Sequence, residues 1–348
     1  MTKESFGTSR RGEAVFVYTL ENKSGAKVRV TDYGAALVSV IVPDKDGNMQ
    51  DILLGYDNVT GYEDNTCYFG AAIGRNANRI ANARIEIDGK EYELDQNDNE
   101  NNLHSGNKGI DTLVWEVKEQ AENTITLATK SVHLEQGFPG NMEIEVCYTL
   151  TEDNTVEIVY KAVSDQDTVA NFTNHSYFNL SGHASGDVLD QELCIHASNF
   201  TPVIDSKAIP TGEVLSVKGT PFDFTESKPI GRDIGSDHIQ MIYGGGYDHN
   251  YILDKKNAAD FVCMAKAYSP ATGITLEAFT DCIGVQFYSG NFITKQQGKQ
   301  GATYQKRQGF CLESQYYPNA INEESFPSPY LKAGDIYTSK TSYRFSVS

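Results

Sequence analysis

The sequence predicts an all-β protein, a large antiparallel β-sandwich with only a few short helical turns. Three observations carry this. Short runs alternate apolar and polar residues at the strand period of two along almost the whole chain. No window of 12 or more residues sustains the 3.6-residue period of an amphipathic helix. Thirty glycines and frequent Asn and Asp turn signals punctuate the runs, as many short strands require. A parallel sheet would need helices between its strands, so the expected pairing is antiparallel.

In chain order, residues 14–20 and 26–31 flank an Asn-Lys-Ser-Gly turn. Residues 36–42 and 49–54 flank 44–48, where Asp46-Gly47 is a hairpin signal. Residues 84–87 and 91–94 bracket Asp88-Gly89, a compact two-residue hairpin. In 142–150, Met142, Ile144, Val146, Tyr148 and Leu150 share one face, and charges fill much of the other. The turn Glu152-Asp153-Asn154 leads into 156–162 with the same alternation, and 275–280, 285–288, 309–315 and 343–347 continue it. Short helical turns are expected near 59–64 and 233–240. Neither a linker nor a repeat divides the chain, so 1–348 reads as one domain.

The formal net charge is −18, with no basic run, which argues against nucleic acid and anionic membranes as partners. The N-terminal MTKESFGTSRRGEAVF has no apolar signal-peptide core, and no apolar run is long enough to span a bilayer. The six cysteines (Cys67, Cys147, Cys194, Cys263, Cys282, Cys311) form no Cys-x-x-Cys pair and read as free buried thiols in a reducing, cytoplasmic setting.

Five clusters interrupt the alternation. GRNANRI at 74–80 ends an apolar run with Asn78 and Arg79, whose fork of donors suits hydroxyl groups. NNLHSG at 101–106 carries His104 in a loop. NFTNHSYFNLSG at 171–182 is polar where a core strand should be apolar, and period-two alternation puts His175 and Tyr177 on one face. A histidine there is a ready proton donor and acceptor near neutral pH. GGGYDHN at 244–250 lacks the lysine and strand–helix context of a phosphate loop and reads as a tight loop delivering Asp248. GVQFYSGNF at 284–292 offers Gln286, and GFCLESQYYP at 309–318 puts Cys311, Glu313 and Gln315 on one side. A glutamate among Phe, Cys and Leu costs several kcal/mol if charged and unpaired, so its pKa should rise or a partner should be near. Together the clusters supply groups for a polyhydroxylated neutral ligand: amides, Arg and carboxylates for hydroxyls, aromatic faces for C–H surfaces.

These clusters, in this order, resemble the aldose 1-epimerases, the galactose mutarotases. Matching pieces include TDYGAALVSVIVPDKDG, YFGAAIGRNANRIANARIEIDGKEYEL, NLHSGNKGIDTLVW, NFTNHSYFNLSG, GYDHNYIL, GVQFYSGNF and GFCLESQYYPNAIN, covering the chain from about residue 13 to the end. Ser105 stands where the family usually has glycine. The resemblance implies a galactose mutarotase-like supersandwich with an open cleft, no metal and no cofactor, interconverting the α and β anomers of a small aldose substrate, galactose or glucose. It implies that Glu313 is the base on the C1 hydroxyl and His175 the acid on the ring oxygen. It also implies that Asn78, Arg79, His104, Tyr177, Asp248 and Gln286 contact sugar hydroxyls. A nearby carboxylate is expected to hold His175 as imidazolium. Three rival readings are a glycoside hydrolase using Glu313 and Asp248, a noncatalytic sugar-binding module, and a metal enzyme using His104, His175 and His249. The preferred aldose and the oligomeric state are not legible in the residues.

Overall fold

A computed structural model describes the chain over residues 1–347. The strands form three large sheets, and every ladder between them is antiparallel. One sheet contains Thr2–Thr8, Ala14–Glu21, Lys27–Thr31, Leu37–Pro43 and Met49–Asp51 in sequence order. A nine-stranded sheet runs through Glu116–Gln120, Thr124–Ser131, Met142–Leu150, Thr155–Ser164, Ile336–Val347, Ile274–Thr280, Val262–Tyr268, Glu192–Ile195 and Lys228–Pro229. A third, five-stranded sheet is ordered Leu215–Ser216, Asn199–Thr201, Asp248–Ile252, Gly284–Tyr288 and Cys311–Gln315.

The long sheet lays one apolar face against both shorter sheets. Met142, Ile144, Val146, Tyr148 and Leu150 are all buried, as their alternation predicts. They share one continuous core with Leu20, Val28, Val30 and Val40 of the first sheet and with Tyr251, Val285, Phe287 and Leu312 of the third. Tyrosine hydroxyls tie the layers polar-to-polar: Tyr148 donates to the Ala35 carbonyl at 2.7 Å and Tyr343 to that of Leu312 at 3.0 Å. The hairpin at Asp88-Gly89 forms with Ile87 opposite Lys90, in the expected register.

Three expectations are corrected. The helical turn expected near 233–240 begins only at Ile239 and runs to Gly244, because the Ser236 N–H closes a turn onto the Asp233 carbonyl and His238 Nδ1 caps the helix by accepting the Gln240 N–H at 3.3 Å. The helix at Val59–Glu63, capped by Asn58, is where it was expected. The thiols are all free, but only Cys67 and Cys311 are buried, the other four being half-buried. The stretch 171–182 is not a one-sided strand, since only Thr173–Asn174 pair regularly, with Ala72–Ile73. Residues 171–180 are buried on both faces. Among the described residues no helix is long and apolar enough to cross a membrane.

Candidate active site

The third sheet explains why three distant clusters meet. Its register aligns Asp248 with Tyr288 and Tyr288 with Cys311; the next row aligns Asn250, Gln286 and Glu313. Side chains two residues apart share a face, so these rows form one polar floor. The alternate residues, Tyr251, Val285, Phe287 and Leu312, enter the core. His249 goes with them, its ring 4.6 Å from Phe222 and its Nε2 3.1 Å from Gln240 Oε1, so it is absent from the pocket. Asp248 arrives from a helix C-terminus closed by Gly245, whose positive φ of 62° suits glycine.

The polar residues of 171–182 face inward because each sews loops together. Asn171 donates to the Ala77 carbonyl and accepts from the Tyr316 N–H. Asn174 donates to the Gly70 carbonyl, and Asn179 to those of Gly186 and Gln308. Alternation persists without a ladder. Phe172, Phe178 and Leu180 join the main core, while His175 and Tyr177 line the pocket. Gly70 hinges this wall to the first sheet. It has φ of +68°, and a Cβ there would lie 2.0 Å from the Leu37 carbonyl oxygen.

The pocket is an open cleft with a cavity volume of about 150 Å³. Asn78, Arg79, His104, His175, Tyr177, Asp248 and Glu313 all line it. Gln286 does not; it stands behind, donating to Asp248 Oδ1 at 2.7 Å. Tyr68, Tyr288 and Phe292 also line the pocket, and Tyr68 and Asp98 are residues that sequence reasoning missed. Tyr68 packs on the rings of both His104 and His175. Asp98 accepts from Arg79 Nε at 2.7 Å, so Arg79 is a pinned pocket residue rather than a solvated edge. Neither carried a sequence signal, since the neighbours that give each its place are brought by the fold.

His104 sits in a left-handed turn with φ of +51°, and Ser105 follows at +73°. The strain at Ser105 is offset by its hydroxyl, which accepts from the Asn76 N–H at 2.8 Å and donates to the Asn76 carbonyl at 3.2 Å. His104 exchanges bonds with Asn78: its own N–H donates to the Asn78 carbonyl, and its Nδ1 accepts the Asn78 N–H at 3.1 Å. A backbone N–H can only donate, so the ring proton of His104 sits on Nε2. Its ligand atom, with those of His175 and Glu313, falls in a group within 4.8 Å of one another. The group nevertheless does not suit a metal, because a ligating histidine donates from its other nitrogen and His104 accepts there.

His175 Nε2 lies 3.6 Å from Glu313 Oε2, and its Nδ1 lies 3.6 Å from Cys311 Sγ. Both side chains are buried, and Glu313 Oε2 has no hydrogen-bond partner. The expectation of a charged histidine is overturned. Burial moves His175 down to about 4. Burial, and then the Asp248 charge, push Glu313 well above the usual carboxylate range, with Arg79 opposing. Magnitudes explain the outcome. At 3.6 Å an ion pair gains about 4–5 kcal/mol at an effective dielectric of 20. Desolvation costs several kcal/mol for each ion. The empty pair therefore favours neutral imidazole and carboxylic acid. Burial, then His175 and Arg79, also hold His104 neutral.

The sequence profile of the aldose 1-epimerase family matches residues 17–344. The galactose mutarotase of Bos taurus is 40% identical over 322 residues, 92% of this chain and 91% of that protein. The aldose 1-epimerase of Escherichia coli K12 is 37% identical over 347 residues, 99% of each chain. The crystal structure of an aldose epimerase homologue from C. elegans superposes with a TM-score of 0.88 at 29% identity, covering 95% of this chain and 98% of that one. The antiparallel supersandwich, the order of the motifs along it and these likenesses agree: the chain belongs to the aldose 1-epimerase family and is an isomerase of the mutarotase type.

Proposed function

We propose that this aldose 1-epimerase acts on an aldohexose, galactose or glucose, with Glu313 as base on the C1 hydroxyl and His175 as acid on the ring oxygen, and that the chain works as one domain. The observation that carries the mechanism is the buried His175–Glu313 pair at 3.6 Å, open to a pocket of polar groups. In ring opening, Glu313 carboxylate takes the C1 hydroxyl proton. The C1–oxygen bond breaks, its electrons pass to the ring oxygen, and C1 becomes a carbonyl. His175 imidazolium gives its proton to that oxygen. The pair thus passes from carboxylate and imidazolium to carboxylic acid and imidazole, the form that burial favours. The carboxylate–imidazolium form lies above the neutral resting pair, and ring opening returns the pair to that resting form. Rotation about C1–C2 presents the other carbonyl face, and reclosure reverses both transfers, leaving the proton count unchanged.

Arg79, His104, Asn78 and Asp248 would bind hydroxyls, with Gln286 holding Asp248. Tyr68, Tyr177 and Tyr288 supply ring faces and edges for the sugar's C–H surface. Asp248 and Glu313 rise from one sheet face, an arrangement that does not favour a hydrolase with carboxyls on opposite sides of a scissile bond. Polarimetry of freshly dissolved α-D-galactose tests the assignment. Glu313→Gln and His175→Asn should each lose nearly all catalysis, roughly 10²–10⁴-fold per proton-transfer partner, with near-UV circular dichroism intact. A near-normal rate in either variant removes that residue's role.

A further inference from the structure

We propose that Cys311 is a positioning residue: its sulfur accepts the Nδ1–H of His175 and so keeps Nε2, the nitrogen facing Glu313, as the proton-transfer atom. This rests on the acid role proposed for His175. Strand alternation places Cys311 and Glu313 on the same face of Cys311–Gln315, two positions apart. The His175 ring lies across both, with Nδ1 3.6 Å from the sulfur and Nε2 3.6 Å from the carboxylate oxygen. It stacks on Tyr177 at 5.0 Å and on Tyr68 at 5.8 Å, which restrains a flip that would exchange the nitrogens. Cys311 is fully buried and outside the pocket lining, so the thiol does not reach a sugar.

The chemistry requires one tautomer. After His175 protonates the ring oxygen, Nε2 must be bare to take that proton back on reclosure. The remaining ring proton must then be on Nδ1. An imidazole protonated on Nε2 could not accept there. A neutral sulfur is a weak acceptor, enough to hold the Nδ1 proton but too weak to stabilise the imidazolium much. A carboxylate in its place would raise the basicity of the ring and weaken it as an acid. The thiol selects the tautomer and leaves the acid strong.

Nitrogen-15 NMR of histidine-labelled full-length protein reads the tautomer directly, with His175 assigned from the His175→Asn variant. Wild type and Cys311→Ser, whose hydroxyl can accept the same bond, should show Nδ1–H, with kcat within about threefold of each other. Cys311→Ala should show a mixture of tautomers and a kcat about tenfold lower at unchanged KM, part of the ~10²–10⁴-fold a proton-transfer group supplies. Cys311→Asp should move the acid limb of kcat/KM to higher pH. An Nε2–H tautomer in wild type overturns the proposal. So does a Cys311→Ala variant that loses only thermal stability and keeps both tautomer and kcat. Full activity in His175→Asn would overturn the acid role itself; an Nε2–H tautomer beside an inactive His175→Asn variant would overturn only the role of Cys311.

Discussion

In the proposed mechanism His175 and Glu313 share one transferable proton, and the limits of that state follow from their burial. As pH falls through about 4, a second proton enters the pair at His175, and with both groups protonated the carboxylate–imidazolium form is out of reach and no base remains. As pH rises past the raised pKa of Glu313, the pair loses its proton and with it the acid. The free-enzyme profile of kcat/KM should therefore have its acid limb near 4 and its alkaline limb above the ordinary carboxylate range. An acid limb at about 6.5, the ordinary histidine value, would mean that burial does not control the pair. His104 is different in kind. Its Nδ1 is committed to Asn78, so in the proposed mechanism it is a neutral donor and carries no transferred proton. His104→Asn should act mainly on KM and cost less than Glu313→Gln; an equal loss in kcat would exchange the roles. His175 and Glu313 were legible because each is a titratable group in a run that should be apolar. Tyr68 and Asp98 were not, since Tyr68 matters through the rings it covers and Asp98 through the guanidinium it pins.

At the scale of elements, the floor of the pocket is a matter of register. A one-residue slip of Cys311–Gln315 would turn Leu312 and Ser314 to the sugar side and bury Glu313 in the core. The wall at 171–182 shows the opposite case: its alternation was readable, but its asparagines were not readable as loop ties, because their partners lie as far off as Tyr316. Arg75, beside the pocket loop, is a second tie. It is 1% exposed, and it donates to the Ser131 hydroxyl and to the carbonyls of Ser131, Val132, Pro139 and Gly140. Lysine has fewer donors and no planar fork, so Arg75→Lys leaves buried carbonyls unpaired. It should cost about 2–4 kcal/mol in chemical denaturation. A loss under about 0.5 kcal/mol, the range of an ordinary surface change, would show that the loop does not depend on this clamp.

Over the whole molecule, the nine-stranded sheet serves as a common floor on which the first and third sheets share one core. That core carries His249, which burial pushes down to about 3. The sign is that of a base neutral in the folded state. Its stabilisation is complete above about 6.5, where the unfolded chain is also neutral, and is lost as pH falls toward 3. His249→Gln removes this dependence. The gap in unfolding temperature between wild type and variant should narrow from about pH 7 to about pH 4.5; a gap constant with pH would place the acid sensitivity elsewhere. By itself the sequence determined the all-β class, most strand positions and the residues with chemistry out of place in their runs. These depend on period, turn chemistry and hydrophobicity, which are properties of neighbours along the chain. Only the tertiary structure decided that Gln286 stands behind Asp248, that His249 belongs to the core, that Cys311 touches His175, and that burial favours the neutral forms of His175 and Glu313. Those outcomes follow from desolvation and from contacts between segments more than 100 residues apart in some cases, as in the 136-residue separation of His175 and Cys311, which no local pattern encodes.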